Sequence, residues 1–224
     1  MLVLDDSSVD LNYEIAVGNG ARLNLNIASF GGGKSLQISI ILTEKATFCG
    51  AYADFSNGDH SCNIMVSLND DYTSAEWHLS CLSSSSNKKL VNVSFDHIGK
   101  HTSSSMNNYG VACDSSTLVF KGVSSIKNGA AFSDAKQVSK IIVFNDDVVA
   151  ESSPSLHIDE NDVNASHSAI VGRLNEDHMF YLKSRGLSES EAKSLITYGY
   201  LSPVAMYFPK TYKAKIDSVL RERF

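Results

Sequence analysis

Residues 164–200, NASHSAIVGRLNEDHMFYLKSRGLSESEAKSLITYGY, pass from the pattern of a strand to the pattern of helices. The stretch begins like a strand, with His167 between two serines. Asn175 suits the N-cap of a first helix, which Gly186 can end because glycine tolerates the left-handed conformation. Ser188 and Glu191 have the spacing of a capping box for a second helix. The stretch therefore predicts the junction between a β-rich part and a helical part of the chain.

The residues before this junction consist of short β-rich runs separated by Gly, Asn, Asp and Ser clusters such as GNG, GGGK and SSSSN. The runs are LNYEIAV, ARLNLNIASF, SLQISIIL, CNIMVSL, AEWHLSC, KLVNVSF, STLVFKGV, AAFSDA and KIIVF. They start roughly every 10 to 15 residues with no helical pattern between them, which predicts an all-β body. A sandwich, a barrel and a solenoid all fit this spacing, and composition does not choose among them.

The end of the chain continues the helical pattern. Pro203 and Pro209 break it, and apolar residues then recur at helical spacing; they are Ile216, Val219, Leu220 and Phe224. We therefore predict two domains, a β core over residues 1–163 and a small helical domain over residues 164–224.

Composition places the chain among ordinary globular proteins, with 224 residues, 43% hydrophobic and 20% charged. No apolar run approaches the roughly 18 residues that span a bilayer, and the first residues are acidic rather than basic, so we expect a cytoplasmic protein that does not bind membranes. The four cysteines, at positions 49, 62, 81 and 113, are too far apart for a CxxC motif. We predict that they are buried, reduced thiols.

Charge is distributed unevenly along the chain. Residues 1–170 hold 10 basic and 19 acidic residues, whereas residues 171–224 hold 9 basic and 6 acidic residues. An acidic body would repel phosphates, so we expect no nucleic-acid partner. The mildly basic end favours a protein partner.

Motifs for common enzymatic chemistry are incomplete. FGGGKSLQI (30–38) resembles the end of a phosphate-binding loop, but Ala28 replaces the first glycine and a strand pattern follows. The chain has no G-x-S-x-G nucleophile elbow. His97 and His101 come closest to a metal-ligand pair, but on one face of a strand they would lie about 13 Å apart. Each histidine taken singly is predicted to be a surface or turn residue.

Several linked motifs resemble the SufB/SufD family of iron–sulfur cluster assembly scaffolds. Within residues 164–200, SHSAIVG, FYLKSRG and EAKSLI match the family's SHGATVG, FYL-x-SRG and EA-x-x-L-I segments. FDHIGKHTSSSMNNYGVACDSSTLVFKGV (95–123) matches its HIGK-x-T-x-S stretch, so the resemblance covers roughly residues 90–200. It implies a mainly β fold, a right-handed parallel β-helix (β-solenoid) with a small C-terminal helical domain.

The resemblance also implies function and partners. It implies a non-enzymatic scaffold that binds no cofactor stably, although iron or an iron–sulfur cluster would contact it transiently. A SufC-type ABC ATPase would dock on the C-terminal helices. A SufB-like chain, or a second copy of this chain, would pack on the end of the β-helix. Because the open strand edges of a solenoid recruit other chains, we expect the last coils, around residues 127–163, to form the interface in self-association.

Departures from the family pattern indicate which branch the chain resembles. Val138 stands where the SufB branch carries a cysteine, which favours a SufD-like protein. The family's functional histidine then matches His167, although Ala165 replaces a cysteine often found two residues earlier. An imidazole can ligate iron or relay a proton, and Ser166 is the candidate that orients its ring.

The chain also begins directly in strands, so the resemblance is to a short form without the N-terminal helical domain. Two alternatives stay open, a purely structural homodimeric β-helix without cluster chemistry and a SufB-like scaffold that binds the cluster itself.

Overall fold

The computed structural model describes residues 2–4, 10–18 and 20–222. Within these residues, strands come first and helices follow. The strands are β1 Leu2–Leu4, β2 Leu11–Val17, β3 Arg22–Ser29, β4 Lys34–Leu42, β5 Thr47–Asp54, β6 His60–Leu68, β7 Ser74–Ser83, β8 Lys88–His97, β9 Ser103–Ala112, β10 Thr117–Ile126, β11 Asp134–Val143, β12 Val149–Ile158 and β13 Asn164–Arg173. The helices are α1 Glu176–Ser184, α2 Glu189–Leu201, a 3₁₀ helix Ser202–Tyr207 and α3 Lys210–Glu222.

The strands form a solenoid of about six turns. Odd-numbered strands make one parallel sheet in the order β1-β3-β5-β7-β9-β11-β13, and even-numbered strands make a second in the order β2-β4-β6-β8-β10-β12. Each strand pairs in parallel with the strand one coil away, as β4 does with β6 and β6 does with β8. The predicted parallel β-solenoid with C-terminal helices is confirmed.

The core lies between the two sheets, where inward side chains of successive coils stack in columns. Leu36, Cys62, Val91 and Phe120 form one column of directly paired residues, and each is at most 1% exposed. Alternation with period two puts every second side chain inside, which explains the apolar-polar pattern of these strands.

A ladder of stacked rings runs along the outside of the turns. Tyr72, His101 and Phe132 all adopt positive φ, and their rings stack at centroid distances of 4.8 Å. His97, by contrast, is the last residue of β8 and is fully buried. The expectation that His97 and His101 share a strand face is therefore wrong, because a turn separates them.

The helices pack on the outer face of the odd-numbered sheet. Leu201, Phe208 and Ile216 are buried against sheet residues that include Ala53 and Val111. The change from strands to helices falls between Arg173 and Glu176. The domain division predicted at 163/164 placed residues 164–173 with the helices, whereas in the structure they form β13 and pair with β11.

Two smaller expectations can be compared with the described residues. None of the helices described is long and apolar enough to cross a membrane. None of the four cysteines forms a disulfide bond, as predicted, and Cys62, Cys81 and Cys113 are buried. Cys49 is only half-buried, because it takes an outward position on β5.

Candidate functional site

His167 lies at the end of an interior column of the solenoid. Each residue of this column is paired with the next one in the adjacent strand; from β5 to β13 they are Gly50, Trp77, Met106, Gln137 and His167. Trp77 and Met106 are fully buried and Gln137 is 2% exposed, so this is an inward position. His167 is nevertheless exposed, because β13 is the last strand of its sheet. The structure therefore presents an imidazole at the mouth of the solenoid interior.

Polar side chains surround this mouth from inside. Gln137 donates hydrogen bonds from Nε2 to Ser124 Oγ at 2.8 Å and to the Ser155 carbonyl oxygen at 3.0 Å. Gln137 Oε1 and Asn108 Oδ1 are buried and have no hydrogen-bond partner among the described residues. Polar groups therefore line the interior directly beneath His167.

Ser166 does not share the histidine's face. Neighbouring residues of a strand point to opposite sides, and Ser166 pairs with the exposed Lys136, an outward position. Direct hydrogen bonding of this hydroxyl to the ring is therefore disfavoured, and Ser166 can influence the imidazole mainly through the backbone.

The two positions that depart from the family pattern lie close by. Val138 on β11 pairs with Ser168 on β13, in the outward-facing column. Ala165 pairs with the buried Ala135 in the inward-facing column. Neither residue supplies a ligand, so of these positions only His167 brings a metal-binding or proton-transferring group to the mouth.

The mouth belongs to a larger surface, which we call the open end: the outer edges of β12 and β13. No strand of the described residues pairs with either edge. Large apolar side chains are exposed along both strands; they are Val149, Ile158, Ile170 and Val171, with exposed fractions of 43–59%. Unpaired edges with exposed apolar residues favour association with another chain.

Helix α1 presents a second exposed surface. It has no buried residue, and Phe180 and Tyr181 are 75% and 56% exposed. Asn175 caps it by accepting a hydrogen bond from the Asp177 amide at 2.7 Å, and the capping box predicted for α2 is present. This helix is held mainly by its caps and by α2, which leaves its aromatic side chains available to a partner.

A buried ionic cluster, which the sequence did not predict, lies inside the solenoid. Lys89 Nζ lies 2.8 Å from Asp54 Oδ1, and His60 Nδ1 lies 2.7 Å from Asp54 Oδ2. All three side chains are at most 2% exposed. Burial opposes ionisation of Asp54, but the charges of Lys89 and His60 outweigh it and hold the pKa of this carboxyl well below its usual range.

This cluster also affects the neighbouring thiols. Burial raises the pKa of Cys81, and the Asp54 carboxylate raises it further, since the thiol lies 3.8 Å from Asp54 Oδ2. Burial and Asp54 likewise raise the pKa of Cys62. Both thiols are therefore protonated near neutral pH, and neither is an activated nucleophile.

The ionic cluster escaped prediction for an identifiable reason. Its carboxylate ends β5, TFCGAYAD, whose small residues and central glycine carry no strand pattern. His60 is the first residue of β6 and Lys89 the second of β8, where a polar residue normally marks a turn. Knowledge of the coil register would have placed His60 beside Lys89, because the two are paired residues.

Comparison with known proteins gives the chain's relationships. The family model described as SUF system FeS cluster assembly, SufBD core domain, matches residues 5–200. This match extends well before the region, roughly 90–200, in which motifs could be recognised.

Curated relatives agree with the family match. The iron–sulfur cluster assembly protein SufD of Bacillus subtilis is 35% identical over 128 residues, which is 57% of this chain and 29% of the relative. A SufBD family protein of Synechocystis is 29% identical over 126 residues, 55% of this chain and 26% of the relative. SufD of Escherichia coli is 29% identical over 90 residues, 40% of this chain and 21% of the relative. The aligned part is less than a third of each relative's length.

Proposed function

The chain belongs to the SufBD family of iron–sulfur cluster assembly proteins, and from this premise we propose that it is a SufD-like, non-enzymatic subunit of a cytoplasmic Suf-type assembly complex. Its role would be to scaffold cluster assembly by a partner chain and to dock a SufC-type ATPase. Iron or a nascent cluster is the cargo of this complex, and the chain would contact it only transiently.

The observation that carries this proposal is the position of His167. A histidine at the mouth of a polar interior, on an unpaired strand edge, becomes enclosed when a second chain covers that edge. Enclosed in this way, a neutral imidazole can ligate iron or pass a proton at a subunit interface. The absence of a cysteine at Val138 and Ala165 means that thiolate ligands would come from the partner, which favours the SufD-like role over the SufB-like one.

The open end is the proposed site of the partner chain. A SufB-like chain would pair its own terminal strands with β12 and β13 and bury Val149, Ile170 and Val171. A second copy of this chain could use the same edges in a homodimer.

Helix α1 is the proposed contact for the ATPase. Phe180 and Tyr181 provide exposed aromatic anchors, and Lys183 and Arg185 follow them at the end of the helix. Aromatic residues with neighbouring cations are typical of the energetic centre of a protein interface.

Point variants test this docking better than truncation does. Removing residues 176–224 would expose the sheet residues that the helices bury, such as Ala53 and Val111. The truncation would therefore destabilise the solenoid as well as remove the docking surface. Phe180→Ser changes a side chain that is 75% exposed, so the fold should remain intact. Co-purification of the variant with a SufC-type ATPase from the same genome should fall at least tenfold, as expected for the loss of an aromatic anchor.

The matched control is Phe132→Ser, which removes an aromatic side chain 57% exposed on a solenoid turn. Undiminished co-purification of Phe180→Ser, or an equal loss in both variants, would refute docking through α1. Anaerobic reconstitution of the chain alone with iron and sulfide distinguishes the SufB-like alternative, since a SufD-like chain should retain no cluster after desalting.

A further inference from the structure

A group of three metal-ligating side chains lies on the outer wall of the solenoid, away from the open end. Cys49 on β5 and Glu76 on β7 are directly paired residues, and His78 follows two positions after Glu76 on the same face. One donor atom from each of the three lies within 4.8 Å of the other two. The sheet order places β7 three strands from β13, about 15 Å away.

The imidazole of His78 is held in place on this wall. Its ring stacks on Tyr207 of the 3₁₀ helix, with centroids 4.1 Å apart and planes inclined by 18°. Asn26 Nδ2 in turn donates a hydrogen bond to the Tyr207 carbonyl oxygen. His78 Nε2 is buried without a hydrogen-bond partner in the described structure, although Glu76 Oε2 lies 3.7 Å away. A buried nitrogen without a hydrogen-bond partner calls for an explanation, and a bound ion between it and the carboxylate is one.

We infer that Cys49, Glu76 and His78 bind a divalent transition-metal ion of the zinc class, with one coordination position left for water or a further ligand. Sulfur, nitrogen and carboxylate oxygen are the three donor types that Zn²⁺ accepts, and three protein ligands are typical of an open site. A thiolate and a carboxylate neutralise the 2+ charge, and binding releases the thiol proton to solvent.

The distances are compatible with this coordination after small side-chain movements. Tetrahedral Zn²⁺ requires donor separations of about 3.3–3.6 Å, given its usual bond lengths. The Nε2–Oε2 separation of 3.7 Å is already close to this range. The Cys49 thiol must approach, and its hydrogen bond with Arg22 must break, which the exposed Arg22 side chain permits.

Binding here would link the helical part to the solenoid wall. Tyr207 packs on a ligand, so a metal that fixes His78 also fixes the 3₁₀ helix on β7. The site uses none of the residues proposed for cluster assembly, so its existence does not depend on that function.

The test uses the full chain, reduced and freed of metal with a chelator. Cobalt titration should give a thiolate-to-cobalt charge-transfer band, and zinc should displace cobalt and raise the melting temperature. In Cys49→Ser the band should vanish, and in His78→Gln the affinity should fall by more than the 10- to 100-fold that loss of an outer-shell partner costs. Circular dichroism confirms that each variant is folded.

Two matched controls keep the result specific. Cys113→Ser removes another thiol, and His101→Gln removes another histidine that stacks on aromatic rings. Both should retain the cobalt band and the zinc-dependent shift in melting temperature. The site is refuted if wild type gives no charge-transfer band, if Cys49→Ser keeps it, or if a control loses it equally.

Discussion

At the scale of single residues, exposure separates the side chains that maintain the fold from those that are free to act. His167 shares a column with Trp77 and Met106, yet it is exposed where they are fully buried. Its contribution to folding should therefore be small, because exposed side chains without fixed partners change stability by about 0.5 kcal/mol or less.

His167→Ala should leave the melting temperature nearly unchanged and should reduce cluster formation by the assembled complex. The reason is that the substitution removes the only ligating group at the mouth among the described residues of β13 while taking away little packing. Ser166→Ala should have a much weaker effect, because its hydroxyl lies on the opposite face. A normal rate of cluster formation by His167→Ala, together with a large drop in melting temperature, would make this histidine structural.

Asp54 and Lys89 are the opposite case, since their charges are fully buried. Lys89→Met should destabilise the chain by about 3 kcal/mol, because the buried Asp54 carboxylate then loses its ammonium partner. The double variant Asp54→Asn/Lys89→Met should be more stable than the sum of the two single changes predicts, since the buried carboxylate and the ammonium that pairs with it are removed together. Urea unfolding at neutral pH measures all three. Additive losses would show that the ion pair has no energetic coupling.

At the scale of elements, the sequence pattern reveals strands whose inward residues are mainly apolar. The described inward residues of β4 are all apolar, β6 shows the pattern after His60, and β8 shows it between Lys89 and His97. β5 was missed because Gly50 occupies an inward position where a Cβ would lie 2.6 Å from Phe48 and Trp77. β9 was missed because Ser104 and Asn108 face inward, and β12 because it contains a proline.

One predicted strand is a turn instead. AAFSDA (130–135) contains Phe132 at a φ of 63°, and only its last two residues belong to β11. Phe132 belongs to the aromatic ladder on the turns, which has no counterpart in period-two reasoning. His167 could be identified from motif resemblance. The group of Cys49, Glu76 and His78 could be identified only from the pairing of β5 with β7, which no local sequence pattern contains.

The junction of β8 and β9 should make stability depend on pH. His97 Nδ1 lies 2.7 Å from Thr102 Oγ1, and Nε2 lies 2.8 Å from Ser104 Oγ. Burial lowers the pKa of His97 to about 4, although Asp96 and Asp134 act in the opposite direction. The unfolded chain, with a pKa near 6.5, therefore binds a proton that the folded chain rejects between these two values.

As pH drops from about 6.5 to about 4, protonation of His97 in the unfolded chain should consequently lower the free energy of unfolding by about 3 kcal/mol. Above pH 7, His97 should not make stability depend on pH. Denaturant unfolding of wild type and His97→Gln across this range measures the difference. Wild type should lose more stability than the variant does; burial also lowers the pKa of His78, but that residue is present in both chains. Parallel pH profiles would refute the assignment.

At the scale of the whole molecule, the solenoid explains why no sequence repeat is visible. Paired residues are 25 positions apart at Arg22 and Thr47 but 31 apart at Ser103 and Asp134. Because the turns vary in length while the strands stay in register, a fixed period does not exist. The fold thus depends on how well the inward side chains at paired positions of successive coils pack on one another. A single sequence shows this packing only weakly.

The same architecture leaves the molecule with strand edges that invite association. Interior columns continue to the open end, where Val171 and Ile158 are each 43% exposed although their column neighbours Ile141 and Ile126 are at most 1% exposed. A column that stops while still apolar should be covered by another chain, either a second copy or a SufB-like partner. In the absence of a partner, we expect the chain to self-associate at micromolar concentration.

The double variant Ile158→Lys/Val171→Lys should abolish this association, because two charges at the end of the solenoid interior oppose burial by any partner. Both side chains are partly exposed, so the monomer should remain folded. Light scattering of wild type and variant measures the oligomeric state.

Met65→Lys is the matched control, since this apolar residue is 42% exposed on the outer face of β6 and should not affect assembly. A wild type that is monomeric alone but binds a SufB-like chain, with binding lost only in the double variant, would assign the open end to a heterodimer. Association that survives the double variant would place the interface elsewhere on the molecule.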